Sequence, residues 1–375
     1  MTIGFDARKM LHNRTGLGNY ARTLVSDIAA IAPDERLLLF STDKGDDALR
    51  HSMEGARTGF VYPSSPHFPF YKAWWRYRGI VSDIRRQGID IYHGLTGELP
   101  FGISASGIPS IVTTHDLIFL RHPEWYHRID ARIYATRFFY TMREATHVIA
   151  ISECTKRDIM EFGGVPENKI SVVYQSCKSH FAAPVTEALA KSVKERYGLP
   201  ETFVLFVGTI EERKNAMEIV EALTYMPVVS AVLVGRRTAY TDQVSERAVK
   251  LGVSDRLLML HGVSDDDLHA LYHLAAAFCY PSRYEGFGIP IIEAMEAGLP
   301  VVAATGSCLE EAGGPDSLYV SPDDPKAFAE ATKRMLPGGD KRQEAIEKGK
   351  EYVKRFDGKK VAAQVLQLYH DITKA

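Results

Sequence analysis

Arg283-Tyr284-Glu285-Gly286-Phe287-Gly288-Ile289-Pro290-Ile291-Ile292-Glu293-Ala294-Met295-Glu296-Ala297-Gly298 decides how this chain is read. Strand-like patterns flank it, within Ala277-Phe278-Cys279-Tyr280-Pro281-Ser282 before and Leu299-Pro300-Val301-Val302-Ala303-Ala304 after. Each run is the length of a strand buried on both faces, the kind that parallel sheets use. Between them a glycine-rich turn leads into a helix beginning near Pro290, whose missing N–H would be unpaired in a first helical turn anyway. Gly286 and Gly288 leave the backbone bare to a ligand, and the first helical N–H groups point at it. Glu285 sits in the loop, and Glu293 lies about one turn inside the helix, within reach of the same cleft. The segment reads as a ligand-facing corner of an α/β fold, suited to a phosphate.

Working outward, short apolar runs alternate with helical patterns along the whole chain, the mark of parallel α/β layers. A first series has strand patterns at 1–6, 37–40, 59–62, 89–93, 111–115, 147–151 and 170–174. A second has them at 203–208, 231–235, 257–261, 278–280, 301–303 and 317–320, with a linker expected near residue 183. The expected organisation is a domain over 1–182, a second over 183–355, and a closing helix over 356–375. That helix carries an apolar stripe of Val361, Val365, Leu368, Tyr369 and Ile372. Ligands of doubly wound sheets bind outside the carboxyl ends of the strands.

Size and composition agree. A chain of 375 residues is too long for one ordinary domain, and 45% hydrophobic with 25% charged residues is usual for a globular protein. A net charge of -2 argues against a general nucleic-acid binder. The four cysteines show no paired spacing, and Cys154 and Cys279, in apolar runs, are expected to be buried thiols in a reducing compartment. The start of the chain lacks the pattern of a signal peptide, and no apolar run is long enough to span a bilayer. A cytoplasmic protein is expected.

Several other residues have the chemistry of a site. Arg213 and Lys214 follow the strand ending in Gly208, at the expected start of a helix. Cations there oppose the helix dipole unless an anion lies between, and a diphosphate would serve, with Arg213 bidentate and Lys214 a point charge. The plainer reading is a solvated basic pair balancing Glu211 and Glu212. Gly16 and Gly18 form a glycine loop before a helix. His115 ends a strand where a cleft would open, and His93 is a weaker case. Gly235-Arg236-Arg237 ends another strand and suits either a nucleotide contact or a surface pair. Asp265 to Asp267 contain Asp-x-Asp, but Ser264 before them reads as a helix cap with acids in the first turn, so no metal is expected. Two stretches mix aromatic and basic residues, Phe68 to Arg78 and Arg121 to Arg143. They suit a membrane interface or an anionic lipid-linked acceptor, and also sugar stacking or helix packing.

The Glu285–Glu293 spacing, a Glu, seven residues and a second Glu, stands within Pro281-Ser282 and Gly286-Phe287-Gly288-Ile289-Pro290. In that setting it resembles the signature of the retaining, sugar-nucleotide-dependent glycosyltransferases of family 4. The resemblance covers nearly the whole chain, most densely from about Phe203 to Asp324. It implies an α/β fold of two Rossmann-like doubly wound domains facing a central cleft (GT-B), with the closing helix crossing back onto the first domain. It implies that Glu285 holds donor-sugar hydroxyls and Glu293 the ribose hydroxyls. Arg213 and Lys214, with backbone N–H groups of Phe287, Gly288 and Ile289, would stabilise the leaving diphosphate. Gly16 and Gly18 would approach the donor phosphates, and His115 the transferred sugar. Some members carry an Arg where this chain has Thr209, so fewer charges would neutralise the phosphates here. The donor it implies is a nucleoside diphosphate sugar, with GDP-mannose the first choice and no separate cofactor expected. The acceptor is a glycan or lipid-linked acceptor in polysaccharide, lipopolysaccharide or glycolipid assembly, with peripheral contact at the inner membrane surface. The rival readings are a sugar-nucleotide epimerase or hydrolase on the same architecture, and a non-catalytic sugar-nucleotide-binding protein.

Overall fold

The apolar runs become strands, and every strand pairing is parallel. The computed structural model describes residues 1–64, 70–177 and 179–374. Two units divide them, Met1–Ser176 with Gly358–Ala375, and Cys177–Asp357. In the first unit the strands are β1 (Thr2–Asp6), β2 (Arg36–Phe40), β3 (Thr58–Val61), β4 (Ile91–Gly94), β5 (Ser110–Thr114), β6 (His147–Ala150) and β7 (Ile170–Val172). Their order is β3-β2-β1-β4-β5-β6-β7. In the second unit β8 (Phe203–Val207), β9 (Ser230–Val234), β10 (Leu257–Leu260), β11 (Ala277–Tyr280), β12 (Val301–Ala304) and β13 (Leu318–Val320) lie in the order β10-β9-β8-β11-β12-β13.

Both sheets are doubly wound. Strand order reverses between β1 and β4 in one and between β8 and β11 in the other, and such reversals open a crevice at the carboxyl ends of the strands. Parallel strands sandwiched between helix layers need apolar side chains on both faces. β5, β11 and β12 accordingly have every residue buried. The register Ala277↔Val204 and Phe278↔Leu205 sets the loops leaving β8 and β11 side by side.

The closing helix, Gly358–Lys374, belongs to the first unit. Val361, Ala362, Val365 and Tyr369 join a core cluster with Ile3, Phe5, Leu24 and Ile28, while Leu368 and Ile372 pack at its edge. The helix meets the Gly16–Ile31 helix so closely that a Cβ on Gly358 would lie 2.3 Å from Asp27 Oδ2.

The chain changes unit between Ser176 and Cys177, not near residue 183. The segment expected to be a linker is anchored to the second unit's Asp265–Leu274 helix. Phe181 is buried with its ring edge-on to Tyr272 at 5.2 Å. His273 Nε2 donates to the Phe181 carbonyl at 2.9 Å, and His269 Nε2 to that of Ala183 at 2.8 Å. A carbonyl only accepts, so both imidazoles carry their proton on Nε2.

Candidate active site

At the β8/β11 reversal, three residues expected to do chemistry come together. Glu285 leaves the loop after β11, and Arg213 and Lys214 leave the loop after β8. Arg213 Nη1 lies 2.9 Å from Glu285 Oε2, and Lys214 Nζ lies 2.5 Å from Glu285 Oε1. Ser282 Oγ donates to Oε1 at 2.7 Å and Tyr280 OH donates to it at 3.1 Å. Arg213 is further fixed by Glu211 Oε1 at 2.8 Å and by the Tyr284 carbonyl at 2.6 Å. Lys214 donates to Tyr280 OH at 2.6 Å. An ammonium has three donors, so these two contacts leave Lys214 one more to give.

The cations do not stand at a helix start, as expected, but in a single 3-10 turn, Glu212–Lys214. Asn215 follows with φ 54°, the one non-glycine residue with positive φ among those described, and the helix begins only at Ala216. Its side chain holds that conformation by donating Nδ2 to the Pro322 carbonyl at 2.7 Å. The turn aims both cations across the sheet at Glu285. The anion that offsets them within the protein is therefore a carboxylate.

Burial alone would push the Glu285 carboxyl up. Lys214 and Arg213, with hydrogen bonds from Lys214 and Ser282, outweigh burial and hold it at about 2. Burial likewise opposes the Arg213 charge, yet the Glu285 and Glu211 carboxylates raise its pKa and keep it firmly charged. Because the folded-state value of Glu285 lies below the ordinary 4.5, its contribution to stability is fully present above pH 4.5. That contribution fades as pH falls towards 2.

The glycine turn is locked from beneath. Cys308, fully buried, lies with its Sγ 3.0 Å from the Glu285 carbonyl and 2.7 Å from that of Phe287. Its one S–H is shared between these two carbonyls, which lie on either side of Gly286. Gly288 adopts φ 143°, and a Cβ there would lie 3.1 Å from the Ala312 Cβ. It precedes the Ile289–Glu296 helix, with Pro290 in the first turn. Neither the Gly288 nor the Ile289 N–H meets an acceptor among the described residues. Sequence reasoning missed Tyr280, Ser282, Cys308 and Asn215 as parts of this site. Pro281-Ser282, polar punctuation directly after an apolar strand, was the available signal.

Glu293 has a different partner. It lies one turn into the Ile289–Glu296 helix, and Tyr272 OH donates to its Oε2 at 2.7 Å. Tyr272 comes from the Asp265–Leu274 helix and was also missed, reading in sequence as core.

In the first unit, Gly16 opens the Gly16–Ile31 helix, and a Cβ there would meet nothing within 4 Å. Gly18 is glycine for the fold's own sake, since a Cβ would lie 1.8 Å from the Asn13 carbonyl oxygen. His115 follows β5. Its Nε2 donates to the Leu95 carbonyl at 2.8 Å, its Nδ1 accepts from Gln175 Nε2 at 2.9 Å, and the Tyr20 ring stands edge-on at 4.7 Å. Burial pulls its pKa down to about 4, against the hydrogen bond to Leu95, so the imidazole is neutral near pH 7. Both ring nitrogens are used by the protein, so this geometry offers no open nitrogen for the catalytic part expected of His115. His93 is wholly internal, bonded through Nδ1 to Tyr369 OH at 2.5 Å and through Nε2 to Thr113 Oγ1 at 2.8 Å. It ties the closing helix to the sheet and is no ligand contact.

Comparison with known proteins decides the family. Residues 15–176 match the family model "Glycosyltransferase Family 4", and residues 190–352 match "Glycosyl transferases group 1". The chain is a family 4 glycosyltransferase. It is 26% identical over 385 residues to the Escherichia coli O-antigen chain mannosyltransferase B, covering 98% of this chain and 99% of that one. A Salmonella typhimurium O-antigen chain mannosyltransferase is 32% identical over 250 residues, 66% of this chain and 65% of that protein. Among solved structures, Anabaena HepE in complex with UDP-glucose superposes with a TM-score of 0.74 at 19% identity, covering 99% of this chain and 100% of that one. That likeness shows the two-domain GT-B fold.

Elsewhere the glycosyltransferase uses its polar residues structurally. Arg237 pairs with Asp242 at 2.6 Å on the surface. Gly235 is dictated by the Gly208 carbonyl oxygen, 1.8 Å from where its Cβ would be. Ser264 caps the Asp265–Leu274 helix by accepting from the Asp267 N–H at 3.2 Å. Asp267 also accepts from Arg196 Nη1 at 2.6 Å and Tyr197 OH at 2.7 Å. Of the first aromatic and basic stretch, Phe68 and Pro69 lie outside the described residues.

Proposed function

We infer that this glycosyltransferase moves mannose from GDP-mannose to a glycan or lipid-linked acceptor in polysaccharide assembly, with retention at the anomeric carbon, working against the inner membrane surface. The observation that carries the reading is the Arg213–Lys214–Glu285 cluster at the β8/β11 reversal, in a chain related end to end to an O-antigen mannosyltransferase. In the reaction, the bond from the anomeric carbon to the diphosphate oxygen breaks and one to an acceptor hydroxyl oxygen forms. The hydroxyl proton leaves with the diphosphate or to water. Charge grows on the departing diphosphate, and preorganised donors are worth most where charge develops. Lys214's third N–H, the Arg213 guanidinium and the N–H groups of Gly288 and Ile289 are the donors for it. Glu285 keeps both cations aligned. Four donors already fill most of its lone-pair positions, leaving room on Oε2 for a sugar hydroxyl.

The test is a donor panel. Purified protein is incubated with GDP-mannose, UDP-glucose, UDP-galactose and ADP-glucose in excess EDTA, and binding and slow hydrolysis are measured. GDP-mannose should be preferred and turnover should survive the chelator. Preference for a UDP-sugar would overturn the donor, and loss with EDTA restored by magnesium would overturn the metal-free reading.

Glu293, with Tyr272 fixing one oxygen, is assigned to the ribose hydroxyls. A contact made equally before and during reaction shows in binding and not in turnover. Glu293→Gln should therefore weaken GDP and GDP-mannose alike by about ten- to a hundredfold, the worth of a hydrogen bond to a charged group. Its kcat should change little. Calorimetric titration with GDP checks this, and unchanged GDP affinity would remove Glu293 from the nucleotide site.

A further inference from the structure

Seven of the eleven exposed large hydrophobic side chains among the described residues fall between Phe70 and Phe139, in the first unit. Ile129, Ile133 and Phe139, on the Arg128–Glu144 helix, are 62%, 43% and 48% exposed. Helical spacing puts them on one arc of about 140° with Arg128, Arg132 and Arg143. No acid shares that arc. Asp130 falls beyond its edge, and Glu144 is turned towards Ser104, whose Oγ donates to Oε2 at 2.7 Å. Arg128, Arg132 and Arg143 make no ion pair among the described residues, whereas Arg137, further round, is paired with Glu98 at 2.9 Å. Beside this face lies a groove of about 480 Å³, walled by Tyr77, Phe101, Ile129 and Ile133 with Arg132 and Arg137. No helix among the described residues is long and apolar enough to cross a membrane.

Apolar side chains left in water beside unneutralised arginines mark a surface that meets something both apolar and anionic. A bilayer containing anionic phospholipid is both. Its headgroup phosphates attract the guanidiniums, and aliphatic and aromatic side chains enter the boundary between headgroups and acyl chains. We propose that the outward face of the Arg128–Glu144 helix, with the groove beside it, docks this glycosyltransferase on anionic bilayers. The proposal rests on the reading of a transferase working at the membrane surface, and it assigns that contact to one helix face. Docking here would hold the first unit where acceptors anchored in the membrane are presented.

The test is cosedimentation of the full-length protein with phosphatidylethanolamine vesicles containing phosphatidylglycerol, beside pure phosphatidylcholine vesicles. Binding should require phosphatidylglycerol and weaken with salt. Each of Arg128→Ser, Arg132→Ser and Arg143→Ser should lower affinity about fivefold, the usual worth of one basic residue near an anionic surface. Ile133→Asp should lower it at least as much while the thermal unfolding midpoint stays unchanged. Absence of binding, equal binding to phosphatidylcholine, or variants that bind like wild type would overturn the proposal. So would a concentration-dependent dimer, abolished by Ile133→Asp, in protein that ignores vesicles, which would give the face to a second copy. Transfer to a water-soluble acceptor should be unaffected by Ile133→Asp. Vesicle binding without any sugar transfer by the wild type would sink the functional reading and leave the docking face standing.

Discussion

Glu285→Gln is expected to cut turnover by about a hundredfold or more while GDP binds as well as before or better. Glutamine keeps the size and one acceptor of the carboxylate, so the variant tests charge and not shape. In the wild type the carboxylate stands 2.5 Å from Lys214 Nζ and 2.9 Å from Arg213 Nη1. Removing its charge leaves Arg213 with Glu211 and the Tyr284 carbonyl, and Lys214 with the Tyr280 hydroxyl. A diphosphate then meets cations with less competition, so its affinity holds or rises. Turnover falls because the sugar loses its hydroxyl contact and the cations lose the anchor that aims them. Folding stability should also fall by about 3 kcal/mol near neutral pH, since removing one partner of a buried pair leaves the other uncompensated. The pH dependence gives a separate check. Between pH 4.5 and about 2 the wild type loses the stability that Glu285 supplies, and the variant, lacking the group, should show a shallower decline there. Initial rates with GDP-mannose, titration with GDP and urea unfolding across that pH range measure all three. Wild-type turnover, or GDP affinity falling in step with turnover, would sink the assignment.

What the sequence makes legible follows from which forces are local. A strand buried on both faces must be an apolar run, so all thirteen strands of the two sheets fall on runs visible in the sequence. The double winding is legible too, because a right-handed crossover through a helix leaves few other ways to connect parallel strands. The stripe that includes Tyr369 shows that the last helix covers something. It cannot show that its hydroxyl meets His93, because that bond depends on strand order.

The site is legible in its residues and not in its pairings. Glu285 and the Arg213–Lys214 pair stand out as charges at strand ends, yet about seventy residues separate them. Their contact exists because β11 inserts beside β8. Dipole reasoning asked for an anion near the cations and offered a phosphate, with Glu211 and Glu212 as the plainer choice; Glu211 does meet Arg213, but the carboxylate that meets both cations is the distant Glu285. The left-handed Asn215, which ends the turn before the helix, leaves no mark that separates it from any polar loop residue. Tyr272 and Tyr280 escaped because in sequence they look like core, and Cys308 because its contact with the glycine turn comes from a segment some twenty residues on. They are core, with one polar atom each turned to the site. His115 differs in the opposite direction. A histidine at a strand end looks available, and burial between Leu95, Gln175 and Tyr20 takes both of its nitrogens.

Lys214→Ala should lower kcat by a hundred- to a thousandfold, the usual cost of losing one preorganised donor to a developing charge. Unlike Glu285→Gln, it should also weaken GDP, by about tenfold or more, because a charge-assisted contact present before reaction is lost. The opposite signs on GDP affinity are the informative part. If Lys214 served only to neutralise Glu285, its removal would destabilise the fold and leave GDP binding untouched. Combining the two substitutions separates these cases. Lys214→Ala strips Glu285 of one cation and Glu285→Gln strips the cations of their anion, so each single variant leaves charge uncompensated. The double variant removes one charge of each sign. Its stability loss should be smaller than the sum of the singles, as residues in one ion-pair network couple by about 0.5–3 kcal/mol. Turnover should not recover with it, because among the described residues no second lysine pairs with Glu285 to take over the part proposed for Lys214. Recovery of both stability and turnover would reduce the cluster to a structural ion pair and move the chemistry elsewhere. Recovery of stability alone would separate what the pair does for the fold from what Lys214 does for the reaction.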